Sequence, residues 1–262
     1  MSFIRVLFRD PVAYVTLDHP DGNRINFDMR VELNDAFEQV GASAARVLVV
    51  SAEGPDFSLG GDIRDWPGIP AAALRPRVEV FAKALERLER LDIPTLAAVQ
   101  GNCMGGGFEL ALSCDMIVAA RNARFVFPEA RLGLLTLQGG MMQIAERVGR
   151  TKAAELVFLS EPITAELMAQ WNVVSRVVDD GDLKTGVEVL AARLAAGPPR
   201  AYAATKKLLR IWSEEGQKSA RAMLYDISMP LFDTQDVQTA LRNAAAAANA
   251  GKAFPEASFT GR

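Results

Sequence analysis

Apolar and polar residues alternate over Phe3–Phe8 and again over Val12–Leu17, the period of strands with one buried face. An Asp21-Gly22 turn follows. From Met29 to Val40 the apolar positions recur at helical spacing, with Asp28 in the N-cap position. Arg46–Ser51 holds the unbroken run Val47-Leu48-Val49-Val50, which predicts a short strand buried on both faces. Val78, Phe81, Leu85 and Leu88 share one face of a helix that must stop before Pro94. Thr95–Val99, Met116–Ala119 and Phe125–Phe127 read as further short strands. Strands and helices in alternation predict an α/β architecture.

After about Thr136 the pattern turns mostly helical. Helices are expected over Gly140–Val148, Lys152–Leu159 and Ala165–Trp171, with one strand at Val173–Val178. Gly197-Pro198-Pro199 then breaks the chain. Beyond it Tyr202–Ser213, Glu215–Leu231 and Val237–Ala248 all carry helical patterns, and the alanine-rich 244–248 favours helix. The expected organisation is an α/β core over 1–196 and a helical region over 197–262. Such an extension either serves assembly or caps its own core.

Composition narrows the function classes. The chain has 262 residues, half of them hydrophobic, enough to bury a large core. Net charge is −3 without a basic cluster, which argues against a nucleic-acid groove or an anionic-membrane patch. Met1 leads at once into a strand, so no signal peptide is expected, and no apolar run is long enough to span a bilayer. Cys103 and Cys114 lie outside any short metal-type spacing. They read as reduced, buried thiols of a cytoplasmic protein, although a disulfide between them stays open. His19 is the only histidine, and it stands in the turn His19-Pro20-Asp21-Gly22. Histidine-rich metal sites are thereby excluded within one chain. Acid–base work falls to carboxylates.

Two glycine-rich turns carry the candidate chemistry. Ala97-Ala98-Val99-Gln100-Gly101-Asn102-Cys103-Met104 runs into Gly105-Gly106-Gly107 and then a helix with Glu109 in its first turn. Asp56-Phe57-Ser58-Leu59-Gly60-Gly61-Asp62-Ile63 also follows an apolar strand. Backbone N–H groups at Leu59 and Gly106, if brought together, would form an oxyanion hole for a carbonyl compound. Each turn by itself also fits a tight strand-to-helix connection. Neither has the spacing of a P-loop or a dinucleotide fingerprint. Glu109 fits a helix-dipole role as well as a chemical one. Glu129 follows the apolar Phe125-Val126-Phe127-Pro128, where burial would raise its pKa toward neutrality; an exposed position just past the strand end is the alternative. Asp62 is expected to hold its own loop, and Arg64 and Asp65 read as solvated.

These segments resemble the enoyl-CoA hydratase/isomerase (crotonase) superfamily. The resemblance runs from Leu17-Asp18-His19-Pro20 and Asn23-Arg24-Ile25-Asn26 to Phe259-Thr260-Gly261-Arg262, with Phe127-Pro128-Glu129 and Thr164-Ala165-Glu166 in support. Its most specific parts are the two glycine-rich turns. The resemblance implies a spiral of ββα units followed by a helical trimerisation region, as a homotrimer or a dimer of trimers. It implies an acyl-CoA thioester as substrate, with the thioester carbonyl held by the N–H groups of Leu59 and Gly106. Arg24, Ile25 and the run Leu59, Gly60, Gly61, Asp62 and Ile63 would wrap the coenzyme, and the segment from Arg64 to Arg77 with Trp66 would shape the acyl pocket.

Glu109 and Glu129 match both glutamates of the family's hydratases. That match implies water held between two carboxylates, Glu109 chiefly activating it and Glu129 transferring the proton. No metal or redox cofactor is implied, coenzyme A being part of the substrate. One segment departs from the family pattern. Where hydratases carry a proline and a glycine, Leu135-Thr136-Leu137-Gln138-Gly139-Gly140 has Thr136 and Leu137, which implies a reshaped pocket. Hydration of a 2-enoyl-CoA is the leading expectation. Another enolate reaction on the same scaffold (isomerisation, decarboxylation or thioester hydrolysis) is the second, and a catalytically silent acyl-CoA-binding subunit the third.

Overall fold

A computed structural model of the chain describes residues 2–64 and 66–261. The expectation for Asp65 therefore falls outside the described residues. The strands are β1 (Ile4–Arg9), β2 (Val12–Leu17), β3 (Val47–Ala52), β4 (Thr95–Val99), β5 (Asn102–Met104), β6 (Met116–Ala120), β7 (Arg124–Val126), β8 (Ile163–Thr164) and β9 (Arg176–Val178). The helices are α1 (Phe27–Gly41), α2 (Ala71–Glu89), α3 (Gly106–Leu112), α4 (Gly140–Val148), α5 (Arg150–Leu159), α6 (Ala165–Gln170), α7 (Leu183–Ala195), α8 (Pro199–Glu215), α9 (Gln217–Ser228) and α10 (Gln235–Asn249).

A six-stranded sheet runs in the order β1-β2-β3-β4-β6-β9, and a three-stranded sheet in the order β5-β7-β8. Among the described residues only β1–β2 and β7–β8 pair antiparallel. The central strands β3 and β4 are parallel neighbours and carry continuous apolar runs, because parallel strands with both faces covered have no polar side to show. Thr95 opens β4 with its N–H and hydroxyl both donating to Asp115 Oδ2, at 2.7 and 2.9 Å. Cys103 and Cys114 are buried and unbridged.

Several expectations are corrected in detail. The N-cap of α1 is Asn26, whose side chain accepts from the Met29 N–H at 2.8 Å; Asp28 lies in the first turn. Helix α2 starts at Ala71, well ahead of its apolar face, and accommodates Pro76. The strand expected at Val173–Val178 begins only at Arg176, because the Val173 and Val174 N–H groups both turn back to the Met168 carbonyl. The helix expected over Glu215–Leu231 begins after Gly216 (φ 88°) and gives way at Met229 to a 3-10 turn, Met229–Asp233. Strands β5 and β8 and helix α7 carry no sequence signal strong enough to have been expected.

The chain divides into two compact units. One comprises residues up to Leu91 with Thr95–Ala191; the other comprises Asp92–Pro94 with the residues from Ala192 onward. The division falls inside α7, ahead of the Gly197-Pro198-Pro199 break. Both sheets lie in the first unit. The second is helical, built chiefly of α8, α9 and α10. Among the described residues no helix is long and apolar enough to cross a membrane.

Candidate active site

The loop 56–62 is fixed from both sides by backbone bonds. The Ser58 N–H donates to the Asn102 carbonyl at 3.0 Å, and Met104 N–H returns a bond to the Ser58 carbonyl at 2.9 Å. The buried Ser58 hydroxyl donates to the Asn23 carbonyl at 2.7 Å and accepts from Gly60 N–H at 3.1 Å. Asn23 is buried too, and its amide ties down the Glu53 and Asp56 carbonyls. These bonds hold the loop beside β5 and the start of α3.

They also decide which N–H groups are available. Leu59 N–H donates to the Gly22 carbonyl at 2.9 Å, so it is committed within the protein and cannot serve as the expected oxyanion donor. Gly60 N–H goes to Ser58 Oγ, and Asp62 N–H to the Ile25 carbonyl at 3.1 Å. Within Leu59–Asp62, only Gly61 N–H donates to no group among the described residues. Gly61 N lies 3.7 Å from where a Cβ on Gly106 would stand. Gly106 is the first residue of α3, whose N–H likewise lacks a partner inside the helix. The pair brought together is Gly61 and Gly106.

Both glutamates meet these donors at one cavity of about 410 Å³. Gly105 makes the approach possible. Its φ of 46° is open to glycine, and a Cβ there would come 2.6 Å from Glu129 Oε1. Glu109, on α3, is 2% exposed. Its Oε1 accepts from Gln138 N–H at 2.8 Å and Gly140 N–H at 2.9 Å. The departing segment 135–140 thus cradles a glutamate through its backbone. Thr136 is buried with its hydroxyl accepting from Met141 N–H at 3.1 Å, while Leu137 lines the cavity.

Burial raises the Glu109 pKa to about 7. The two N–H bonds and the Arg30 charge pull it down, and the neighbouring Glu129 charge pushes it up. Burial raises Glu129 as well, and its Oε2 is buried without a hydrogen-bond partner. Glu129 opens the 3-10 turn Glu129–Leu132 directly after Pro128, and it is half-buried. The pair can hold and pass a proton near neutral pH.

The remaining expected contacts divide into two layers. Arg24, Leu59, Gly60, Gly61, Ile63 and Gly106 line the cavity. Ile25 and Asp62 do not; Ile25 is fully buried behind the wall, its N–H bonding the Gly60 carbonyl at 2.9 Å. Asp62 holds its loop as expected, but the hydrogen bonds come mostly from a side chain. Arg64 bonds it at 2.8 and 2.6 Å, which keeps its carboxyl below the ordinary range. Arg64 is exposed, yet it also pairs with Asp21 at 2.6 Å.

Arg30 was not expected at the site. It lines the cavity at 2% exposure, and burial lowers its pKa to about 10. Its spacing to the buried Leu33 and Phe37 on α1 is the sequence signal that places it on the inward face.

Gly140 carries a steric prediction. A Cβ there would lie 2.6 Å from Glu109 Cγ and 2.9 Å from the Phe127 ring. Phe127 is stacked on Phe108 with ring centroids 4.7 Å apart, so neither neighbour can yield cheaply. Gly140→Ala is expected to lower stability by about 1–3 kcal/mol, read as a lower midpoint in urea unfolding.

Comparison with known proteins agrees with this arrangement. The sequence profile of the family described as Enoyl-CoA hydratase/isomerase matches residues 8–246. A carnitinyl-CoA dehydratase of Salmonella typhimurium is 35% identical over 208 residues, covering 78% of this chain and 78% of its own. An enoyl-CoA hydratase/carnithine racemase of Magnetospirillum magneticum superposes with a TM-score of 0.87 at 29% identity, over 100% of this chain and 97% of that one. A Thermobifida fusca protein solved in complex with CoA superposes with a TM-score of 0.79 at 30% identity, over 88% and 93% of the two chains. The mixed sheet, the paired glutamates and these matches agree: the chain is an α/β enzyme of the enoyl-CoA hydratase/isomerase (crotonase) superfamily.

Proposed function

We propose that the chain catalyses reversible addition of water across the 2,3 double bond of a 2-enoyl-CoA thioester. One observation carries this reading: Glu109 and Glu129, both with raised proton affinity, share a cavity with Gly61 and Gly106, whose N–H groups have no acceptor among the described residues. The thioester oxygen accepts from those two N–H groups. As water attacks C3, the π electrons move toward the carbonyl and charge builds on that oxygen, where fixed donors stabilise it most. Glu109, its Oε1 held by two backbone bonds, takes the proton of the attacking water. Glu129 delivers a proton to C2, and the pair exchanges protons to restore itself. Atoms balance as one water added, with no redox change.

The Salmonella relatives are named for a dehydration of an acyl-CoA, which supports a hydro-lyase. The T. fusca complex with CoA supports a coenzyme A thioester as ligand. The reading includes a cytoplasmic homotrimer or dimer of trimers assembled through the C-terminal helices. The second unit supports this, because Leu209 and Trp212 of α8 and Leu224 of α9 line an apolar groove and are exposed.

The test is the absorbance of the conjugated thioester on mixing the protein with crotonyl-CoA and longer 2-enoyl-CoAs. Its rapid loss, with a 3-hydroxyacyl-CoA identified by mass, is the expected result. No loss with any 2-enoyl-CoA, together with turnover of a 3-enoyl or malonyl-type thioester, would assign another enolate reaction to the same residues.

A further inference from the structure

Resting on that reading, we propose that the acyl pocket selects a chain carrying a carboxylate, received by Arg30 and Trp66. A cation taken out of water is costly unless it is paired. Arg30 is almost wholly enclosed, yet no carboxylate lies within ion-pair distance of it among the described residues. Among the described residues its guanidinium makes one hydrogen bond, a long one from Nη1 to the Arg77 carbonyl at 3.3 Å. Its Nε is buried without a partner. The two acidic groups whose charges act on it are committed elsewhere, Asp62 to Arg64 and Glu109 Oε1 to the segment 138–140.

What holds the guanidinium instead is aromatic. It lies 5.1 Å from the Phe27 ring centroid and 5.5 Å from that of Trp66. Such contacts orient a cation but leave its N–H groups unmet. The Trp66 indole N–H is likewise buried without a partner. Both residues line the cavity and stand beside the oxyanion donor. A Cβ on Gly61 would be 3.7 Å from Arg30 Nη2 and 3.8 Å from the Trp66 ring.

Two buried donors, one of them charged, thus stand beside Gly61, the donor that the proposed function sets at the thioester oxygen. A carboxylate matches them in charge and in hydrogen-bonding capacity, because it accepts two parallel N–H bonds from a guanidinium fork. An apolar chain would leave both donors unmet, and a cationic chain would be repelled. Burial already weakens the hold of Arg30 on its own proton, and an anion beside it reverses that penalty.

Binding of saturated thioesters, which cannot be hydrated, tests this apart from turnover. The full chain is titrated calorimetrically with succinyl-CoA and glutaryl-CoA, and with butyryl-CoA and pentanoyl-CoA as uncharged counterparts of the same carbon number. The better dicarboxylic thioester is expected to bind at least tenfold more tightly than its counterpart. Arg30→Met should shrink that margin to less than twofold, and Trp66→Phe should narrow it. Equal or weaker binding of both charged thioesters to the wild type overturns the proposal, as does a margin that survives in Arg30→Met. Should Arg30→Met fail to fold, the wild-type margin and Trp66→Phe decide. A charged preference without hydration of any enoyl thioester would sink the hydratase reading and leave this one standing. Hydration without the preference does the reverse.

Discussion

Glu109→Gln is expected to slow hydration of 2-enoyl-CoA by about 10²–10⁴-fold, the usual contribution of a positioned acid–base group, while making the folded protein more stable at alkaline pH. The amide keeps an oxygen for the Gln138 and Gly140 N–H groups, so the cradle survives. What it lacks is a site for the proton of water. The stability effect follows from the raised pKa. In the folded chain Glu109 titrates at about 7, against an ordinary value of 4.5. Between those two pH values the folded state holds a proton that the unfolded chain has released, so stability falls as pH rises through the window. The loss is complete above pH 7. Glutamine is neutral throughout, so the variant escapes the loss, by on the order of 1–3 kcal/mol at pH 8. Below the ordinary carboxylate pKa the two proteins should unfold alike. Urea unfolding at acid and alkaline pH reads the stability term, and thioester absorbance reads the rate. For the wild type, kcat/KM should fall about tenfold per pH unit on the acid side of about pH 7, where Glu109 is protonated. Undiminished turnover in the variant would remove Glu109 from the chemistry.

Much of this site was legible in the chain because its motifs are local. Three glycines ahead of a helix with Glu109 in its first turn, and Glu129 directly after an apolar strand, are features of a few adjacent residues. Their side-chain types already restrict the chemistry to carboxylates and backbone donors. What was not legible depends on distant pairings. Leu59 and Gly61 look equally able to offer an N–H until the fold brings Gly22 against Leu59 and consumes one of them. Nothing in the local sequence reveals that Gly22 will be there. Strand β5 is similar: its pairing partner β7 is defined only once the chain has passed through α3 and β6 and returned. Arg30 was partly visible. It stands on the apolar stripe of α1 with Leu33 and Phe37, and a charge on such a stripe marks either a helix edge or a buried function. The aromatic partners that decide between these, Phe27 one turn back and Trp66 on a separate loop, require the tertiary structure.

Gly106→Pro isolates the oxyanion donor and is expected to lower kcat by about 10²–10³-fold with little change in KM. Gly106 is the first residue of α3, a position where proline is tolerated because its missing N–H would have no intrahelical partner. Gly106→Ala is the matched control, since it adds a Cβ and keeps the N–H. That Cβ would stand 3.3 Å from the Phe81 ring and 3.7 Å from Gly61 N, a tight contact with one aromatic edge and ordinary contact otherwise. Alanine should therefore cost less than about tenfold, the remainder of the proline effect being the lost donor. The effect belongs in kcat because the thioester oxygen carries most of its charge only as water attacks, so the bond is worth more in the transition state than in the bound substrate. Equal losses in the two variants would mean that bulk alone is responsible, and Gly106 N–H would then have no part in polarising the thioester. A proline variant that binds butyryl-CoA as the wild type does, yet turns crotonyl-CoA over at under a hundredth of the rate, would place the Gly106 N–H at the carbonyl.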